Sequence, residues 1–207
     1  VKSEWGIRAY DEPSDRELWY FDQDSGNSES VVAGDYTVRT ASLSNDGTHL
    51  VYTRAPDQRL NSGYLREVFI RDLSTGVERV WTANDYSEAN VRLSPDNQTI
   101  AFIATVNEAG EPYYEDKVFV QNYGEAPRRL LGDMAFEALA HEWDQSGERL
   151  FILGNTGLRT ALYRYDLKQD TLEQLTRGDQ VVSDWRYDPI QNTHTAKITD
   201  ARSPGEL

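Results

Sequence analysis

Residues 91–103 read VRLSPDNQTIAFI, and this stretch decides the fold because its outline occurs three times along the chain. Residues 42–52 (SLSNDGTHLVY) and residues 142–152 (EWDQSGERLFI) repeat it, with an apolar residue, a polar turn and an apolar run. A constant interval between such units is the signature of a repeat architecture. The turn residues follow one another at intervals of 50: Gly47, Asn97 and Gly147.

Each unit predicts two β-hairpins. The polar turns suit residues with positive φ, and the runs that follow them are β-branched and aromatic, as is typical of buried strands. A second hairpin follows in residues 68–80 (VFIRDLSTGVERV), and residues 161–175 (ALYRYDLKQDTLEQL) repeat that pattern. Four strands in roughly 50 residues is the content of one propeller blade.

The sequence therefore predicts an all-β fold, a single partial β-propeller domain over residues 1–207, with about four blades and little helix. We expect Leu43, Leu93 and Trp143 to occupy equivalent inner strands. The predicted blades cover residues 37–85, 86–133 and 134–179, with partial blades at residues 1–36 and 180–207.

The two partial blades raise the question of how their strand edges are covered, because proteins seldom leave such edges bare. In the first, residues 5–10 (WGIRAY) form a predicted strand. In the last, residues 195–199 (TAKIT) form another. These two strands could pair and close a small ring of four blades, or two chains could complete a larger ring as a homodimer. The third alternative is an open fragment whose edges are buried against neighbouring molecules.

Composition excludes several function classes. The net charge of −14 repels phosphate backbones and anionic lipid surfaces, so binding to nucleic acid or to a membrane surface is not expected. No apolar run approaches the ~18 residues of a membrane-spanning helix, so no membrane insertion is expected. The chain has no cysteine, which removes disulfides, thiol catalysis and thiolate metal sites together.

The candidate binding site is the acidic, aromatic loop predicted between residues 105 and 116. Such a loop could bind a cationic group, for example the amino terminus of a peptide, because loops carry function more often than blade cores do. The alternative is a solvated insertion. The candidate substrate-binding residues are Glu111, Tyr113, Tyr114, Glu115 and Asp116.

The usual catalytic motifs are missing from the sequence: there is no G-x-S-x-G, H-E-x-x-H, P-loop or G-x-G-x-x-G. The histidines His49, His141 and His194 fall in different predicted blades, so we interpret them as structural rather than as metal ligands. Residues 22–27 (DQDSGN) resemble a calcium loop only in part and are better explained as a hairpin turn. We expect no catalytic residue, no metal site and no cofactor.

The repeated units resemble the propeller of the prolyl oligopeptidase family of serine peptidases, above all its bacterial dipeptidyl aminopeptidase IV and acylaminoacyl-peptidase types. Residues 162–167 (LYRYDL) and 172–176 (LEQLT) carry this resemblance together with residues 184–189 (DWRYDP) and 199–207 (TDARSPGEL). TolB-like propellers contain similar units.

The resemblance implies seven or eight blades that cover an α/β-hydrolase domain and restrict access to it. These 207 residues contain no such domain, so no catalytic residue can be carried over and the chain is expected to be inactive alone. The expected partners are the hydrolase domain of the same parent protein and peptides, in a periplasmic or secreted location with the cytoplasm as the alternative. The alternative function is a TolB-like module that binds a protein or a peptide.

Overall fold

The structure is a computed structural model that describes residues 18–200 except 22–23, 33, 58, 60, 85, 107–110 and 133–135. The predicted strand at residues 5–10 lies outside the described residues, as do residues 201–207. The described part is built almost entirely from antiparallel sheets. Its strands are β1 Leu18–Phe21, β2 Ser28–Val32, β3 Thr37–Leu43, β4 His49–Ala55, β5 Glu67–Asp72, β6 Glu78–Val80, β7 Ala89–Leu93, β8 Thr99–Val106, β9 Pro112–Asn122, β10 Arg128–Arg129, β11 Glu137–Trp143, β12 Arg149–Asn155, β13 Thr160–Asp166, β14 Thr171–Gln174, β15 Gln180–Asp188 and β16 Thr193–Asp200.

Three successive sheets have the same plan. The order is β3-β4-β5-β6 in the first, β7-β8-β9-β10 in the second and β11-β12-β13-β14 in the third, and every neighbouring pair is antiparallel. The hairpin β1–β2 precedes these sheets and the hairpin β15–β16 follows them. The only helix in the described part is a 3-10 helix, Asn61–Leu65, so the expectation of little helix is confirmed.

The first turn of each sheet is built in the same way. Gly47, Asn97 and Gly147 have φ of 70°, 60° and 73°, so the three occupy equivalent turns as predicted. The residue three positions earlier is a serine or an aspartate, and its backbone carbonyl accepts a hydrogen bond from the N–H of the turn residue. The backbone N–H of that serine or aspartate donates across the turn, from Ser44 N to His49 O at 2.8 Å in the first sheet. Its side chain also accepts the N–H of the residue that begins the next strand.

Consecutive sheets pack face to face. One core cluster joins the first sheet to the second through Val51, Val68, Leu93 and Phe102. A second cluster joins the second sheet to the third and includes Trp143, which is 4% exposed. Apolar residues on both faces of each middle strand therefore form a row of cores between sheets, as radially arranged propeller blades require. The prediction of an all-β propeller is confirmed.

The last hairpin, which begins the predicted partial blade at residues 180–207, pairs with the third sheet at one position. Thr160 of β13 pairs in parallel with Val181 of β15, which joins the hairpin to the third sheet. The hydroxyl of Thr160 also accepts the N–H of Val182 at 2.6 Å and donates to the Val182 carbonyl at 2.5 Å. A single threonine thus creates a link between two hairpins that the repeat pattern alone does not contain.

The first strand of each sheet contacts the first strand of the next, β3 against β7 and β7 against β11. Ser42 Oγ donates to the Val91 carbonyl at 3.1 Å, and Trp143 Nε1 donates to the Arg92 carbonyl at 3.1 Å. These contacts place Leu43, Leu93 and Trp143 at equivalent ends of the first strands, as predicted. The inner edges of the sheets are therefore held together by polar contacts.

Candidate functional site

The acidic, aromatic stretch is a strand rather than the predicted loop. Strand β9 begins at Pro112, so Tyr113, Tyr114, Glu115 and Asp116 all belong to it. Glu111 comes just before the strand and is exposed. The strand extends this far because Val106 of β8 pairs with Pro112 and lengthens the hairpin at the end where the chain connects β8 to β9.

The two carboxylates on this strand point away from each other. Glu115 makes a 2.6 Å ion pair with Lys117, two residues along the strand, while Asp116 accepts a 2.6 Å hydrogen bond from Thr105 of β8. Successive strand residues face opposite sides of a sheet, so Glu115 and Asp116 do not face one ligand together. The structure therefore separates two members of the predicted site, and a ligand would have to approach the stretch from one side.

Lys117 anchors this region. It is only 8% exposed, and its Nζ donates to the Phe136 carbonyl at 3.0 Å as well as to Glu115. Phe136 immediately precedes the first strand of the next sheet, so Lys117 links the acidic stretch to the neighbouring sheet. The partner of Glu115 is thus a buried cation and not a mobile surface residue.

The three histidines lie in different parts of the fold. His49 Nδ1 lies 2.7 Å from the hydroxyl of Thr48, and His194 Nδ1 accepts from Trp185 Nε1 at 3.1 Å. His141 is 2% exposed, and burial lowers its pKa to about 4, helped by the charge of Arg92 and opposed by the backbone of Ala101. Each ring packs or bonds locally, which agrees with structural roles. Within the described residues no group of His, Asp and Glu is arranged to hold a metal ion.

Sequence reasoning missed an ion pair between the first strands of two sheets. Arg92 Nε of β7 lies 3.3 Å from both carboxylate oxygens of Glu142 of β11, and each side chain is 36% exposed. The sequence does contain a signal for this ion pair, because Arg92 and Glu142 have opposite charges and are separated by the repeat interval of 50 residues. This pair is a charged contact that joins neighbouring sheets at their inner strands.

Two open cavities lie at the ends of the described part. One of about 520 Å³ is polar and lies between the third sheet and the last hairpin, where Asp144, Arg149, Arg164 and Asn192 contribute to its wall. The other, of about 350 Å³, is an apolar groove between the first hairpin and the first sheet. Leu43 lies in this groove and is 53% exposed, whereas Leu93 at the equivalent position is 5% exposed.

Comparisons with known proteins agree with this architecture. The uncharacterized peptidase YuxL of Bacillus subtilis is 26% identical over 112 residues, which are 54% of this chain and 16% of YuxL. TolB from Acinetobacter baumannii superposes with a TM-score of 0.62 at 17% identity, covering 91% of this chain and 47% of TolB. A puromycin-hydrolyzing peptidase of Mycobacterium tuberculosis gives a TM-score of 0.57 at 19% identity, covering 88% of this chain and 32% of the peptidase. No family model matches the sequence.

The fold and these likenesses define the class of protein: the chain is a β-propeller of the kind found in TolB and in such peptidases. The resemblance to a peptidase that the sequence indicates is confirmed by the match with YuxL. The chain spans less than half the length of TolB and about a sixth of the length of YuxL. Within the described residues, no helix has both the length and the apolar character needed to cross a membrane.

Proposed function

We propose that this chain is a non-catalytic part of the propeller that controls the access of peptides to an α/β-hydrolase domain in the same serine peptidase. The observation that carries the proposal is the sequence match with YuxL, whose name is that of a peptidase. The M. tuberculosis peptidase supports it, because the similarity in fold accounts for 32% of that chain and leaves room for a separate domain.

The contacts of the described histidines support a role without catalysis. Acyl transfer by a serine enzyme needs a hydroxyl that is activated by a neighbouring base. The rings of His49 and His194 are bonded to Thr48 and Trp185, and His141 is buried between sheets. The turn serines Ser44 and Ser94 bond to backbone and aspartate atoms of their own turns.

The direct test compares the isolated chain with the full-length parent protein on chromogenic dipeptide and acyl-amino-acid substrates. We expect hydrolysis by the parent, loss of that activity with a serine-directed covalent inhibitor, and no hydrolysis by the isolated chain. Inhibitor-sensitive hydrolysis by the isolated chain would refute the non-catalytic role. A parent without any such activity would refute the peptidase assignment.

The gating role is tested through the ion pair between the inner strands. In the parent, the double substitution Arg92→Ala with Glu142→Ala removes a tie between two sheets and should loosen the inner edge of the propeller. We expect kcat/KM to rise for longer peptides and to stay unchanged for dipeptides. The matched control is Arg164→Ala with Glu173→Ala, which removes an ion pair between strands β13 and β14, away from that edge. Equal effects of the two pairs, or no effect of the first, would contradict gating at this edge.

We also propose that the stretch with Glu111, Tyr113, Tyr114, Glu115 and Asp116 meets the positively charged end of a peptide. Negative side chains near the end of the hairpin where β8 connects to β9 favour a cationic group. In the parent, Glu111→Gln combined with Asp116→Asn should raise KM for peptides with a free amino terminus and leave KM for N-acetylated peptides unchanged. Glu115→Gln is a separate variant, because its carboxylate is paired with Lys117 and its loss would also disturb the next sheet.

A second candidate function is a binding module of the TolB kind, favoured by the superposition of 91% of this chain on TolB. It predicts a parent protein that lacks peptidase activity in the assay above. Under either function we propose a periplasmic or secreted location, which fractionation of cells expressing the tagged parent would test. Recovery of the parent in the cytoplasm alone would contradict that location.

A further inference from the structure

Glu88 occupies a position at which the neighbouring repeat units carry small apolar residues. The residues 50 positions before and after it are Val38 and Ala138, which are 6% and 2% exposed. Glu88 itself is 0% exposed, at the end of the connection that leads from β6 to β7. One repeat unit has therefore placed a titratable group where the others place a core residue.

The carboxyl group of Glu88 is buried without a well-aligned hydrogen bond. Neither Oε1 nor Oε2 has a partner with good hydrogen-bond geometry, and two donors nearby, Nδ2 of Asn84 and Nε of Arg66, are likewise buried without a well-aligned acceptor. The neighbouring hydroxyl of Thr82 is already committed, because it donates to Glu67 at 2.6 Å and accepts from the Val68 N–H at 2.8 Å. Unmade hydrogen bonds of this kind are costly in a protein interior.

The charges around Glu88 come from several strands. Burial raises the pKa of Glu88 to about 8, the negative charge of Glu67 on β5 adds to the rise, and its own backbone, Asn84 and Thr82 oppose it. Arg66, just before β5, is the neighbouring positive charge, and it also feels Arg39 of β3 and Asp116 of β9. A neutral Glu88 suits the apolar position, whereas an ionised one would be drawn toward Arg66 and Asn84.

We propose that Glu88 is a proton-controlled joint between the first and second four-stranded sheets. When neutral, it packs as Val38 and Ala138 do and holds the start of β7 against the first sheet. When it loses its proton to solvent, the carboxylate moves toward Arg66 and the amide of Asn84 and loosens residues 81–84 and 86–91. Because this connection joins the outer strand of one sheet to the inner strand of the next, the movement changes how the two sheets are placed.

The decisive experiment is hydrogen exchange of the chain between pH 6 and pH 9, with rates converted to protection factors to remove the intrinsic effect of pH. In the wild type we expect protection of residues 81–84 and 86–91 to fall by about tenfold or more over this range. In Glu88→Gln, which stays neutral, protection should be constant. Residues 136–141, which contain Ala138 at the equivalent position, serve as the internal reference and should show no change in either protein.

A second variant and a direct titration of the Glu88 carboxyl group test the same proposal without relying on Glu88→Gln. Glu88→Val carries the residue found at position 38, so it should fold and should also show constant protection even if Glu88→Gln does not fold. The side-chain carboxyl ¹³C signal that disappears in these variants should titrate above pH 6 in the wild type. Constant protection in the wild type, the same fall in Glu88→Val, or a carboxyl midpoint below pH 5 would each overturn the proposal.

Discussion

Asn97 donates a hydrogen bond from Nδ2 to Oδ2 of Asp46 at 2.8 Å, and this bond joins equivalent turns of two neighbouring sheets. Hydrogen bonds from Ser44, Thr48 and Asn97 hold the pKa of Asp46 well below its usual range. Asn97 therefore combines the left-handed backbone of a turn residue with a contact between sheets that the glycines at positions 47 and 147 cannot make. The same bond occupies the amide that would carry a glycan at the formal sequon of residues 97–99.

Substitutions at this turn should separate backbone strain from the contact between sheets. Asn97→Gly keeps the favourable backbone and loses only the hydrogen bond, so we expect a loss of about 1 kcal/mol in the free energy of unfolding. Asn97→Ala also removes the short polar side chain that lets asparagine adopt φ of 60° more readily than alanine does, so its loss should be about 2 kcal/mol. Urea unfolding measures both values, and equal losses would show that backbone strain at this turn is negligible.

Leu43 and Leu93 occupy equivalent positions but should respond very differently to truncation. Leu93 is 5% exposed and packs with Val51, Val68 and Ile70, so Leu93→Ala should destabilise the fold by roughly 2–4 kcal/mol. Leu43 is 53% exposed, so Leu43→Ala should cost less than about 1 kcal/mol. The two midpoints of urea unfolding test this directly. A Leu43→Ala variant as unstable as Leu93→Ala would mean that the groove around Leu43 is covered in solution.

His141 should make the fold sensitive to acid. Its pKa is about 4 in the folded state and 6.5 for a free histidine side chain, so unfolding takes up a proton between these pH values. The contribution of the neutral ring to stability is therefore complete above pH 6.5 and is lost as pH falls, by about 3 kcal/mol at pH 4. Unfolding of wild type and His141→Leu at pH 7 and pH 5 should show a smaller pH dependence in the variant. His49→Gln is the control and should keep the dependence of the wild type.

The apolar groove at the first hairpin should promote association of the isolated chain. Trp19, Phe21 and Leu43 are 51%, 72% and 53% exposed there, and exposed apolar patches of this kind favour protein contacts. Analytical ultracentrifugation should show association that increases with concentration and is weakened by Leu43→Lys. Leu139→Lys, at a residue that is 41% exposed outside the groove, should have no effect. A wild-type chain that stays monomeric at all concentrations would contradict this prediction.

The far end of the described part presents a different surface. Val182 and His194 face the third sheet, so alternation along β16 puts Thr195, Lys197 and Thr199 on the opposite side. The corresponding faces of earlier strands carry apolar residues such as Ile103.

The strand that is predicted from the sequence to pair with residues 195–199 lies in residues 5–10, which are outside the described part. Closure of the ring and the homodimer both stay predictions.

The repeat made much of the fold predictable, because a turn residue every 50 positions fixes which strands are neighbours within a sheet. Contacts between sheets are harder to predict from the sequence. The pairing of Thr160 with Val181 and the ion pair between Arg92 and Glu142 both depend on how one sheet or hairpin lies against another. From the sequence, the acidic stretch is predicted as a long loop between the second and third strands of its unit, and Asp and Glu are indeed depleted in strands. In the structure Lys117 and Thr105 satisfy its carboxylates, which allows Glu115 and Asp116 to continue the strand.

The polar contacts that join equivalent strands and turns of neighbouring sheets have a consequence for synthesis on the ribosome. Ser42 with Val91, Arg92 with Glu142 and Asn97 with Asp46 each connect residues that are 49 to 51 positions apart. Each four-stranded unit can therefore form soon after it leaves the exit tunnel and dock on the unit made just before it, without waiting for a distant segment. The order of translation and the spatial order of the sheets are the same, so a pause in translation would leave a row of finished sheets whose last apolar face is uncovered.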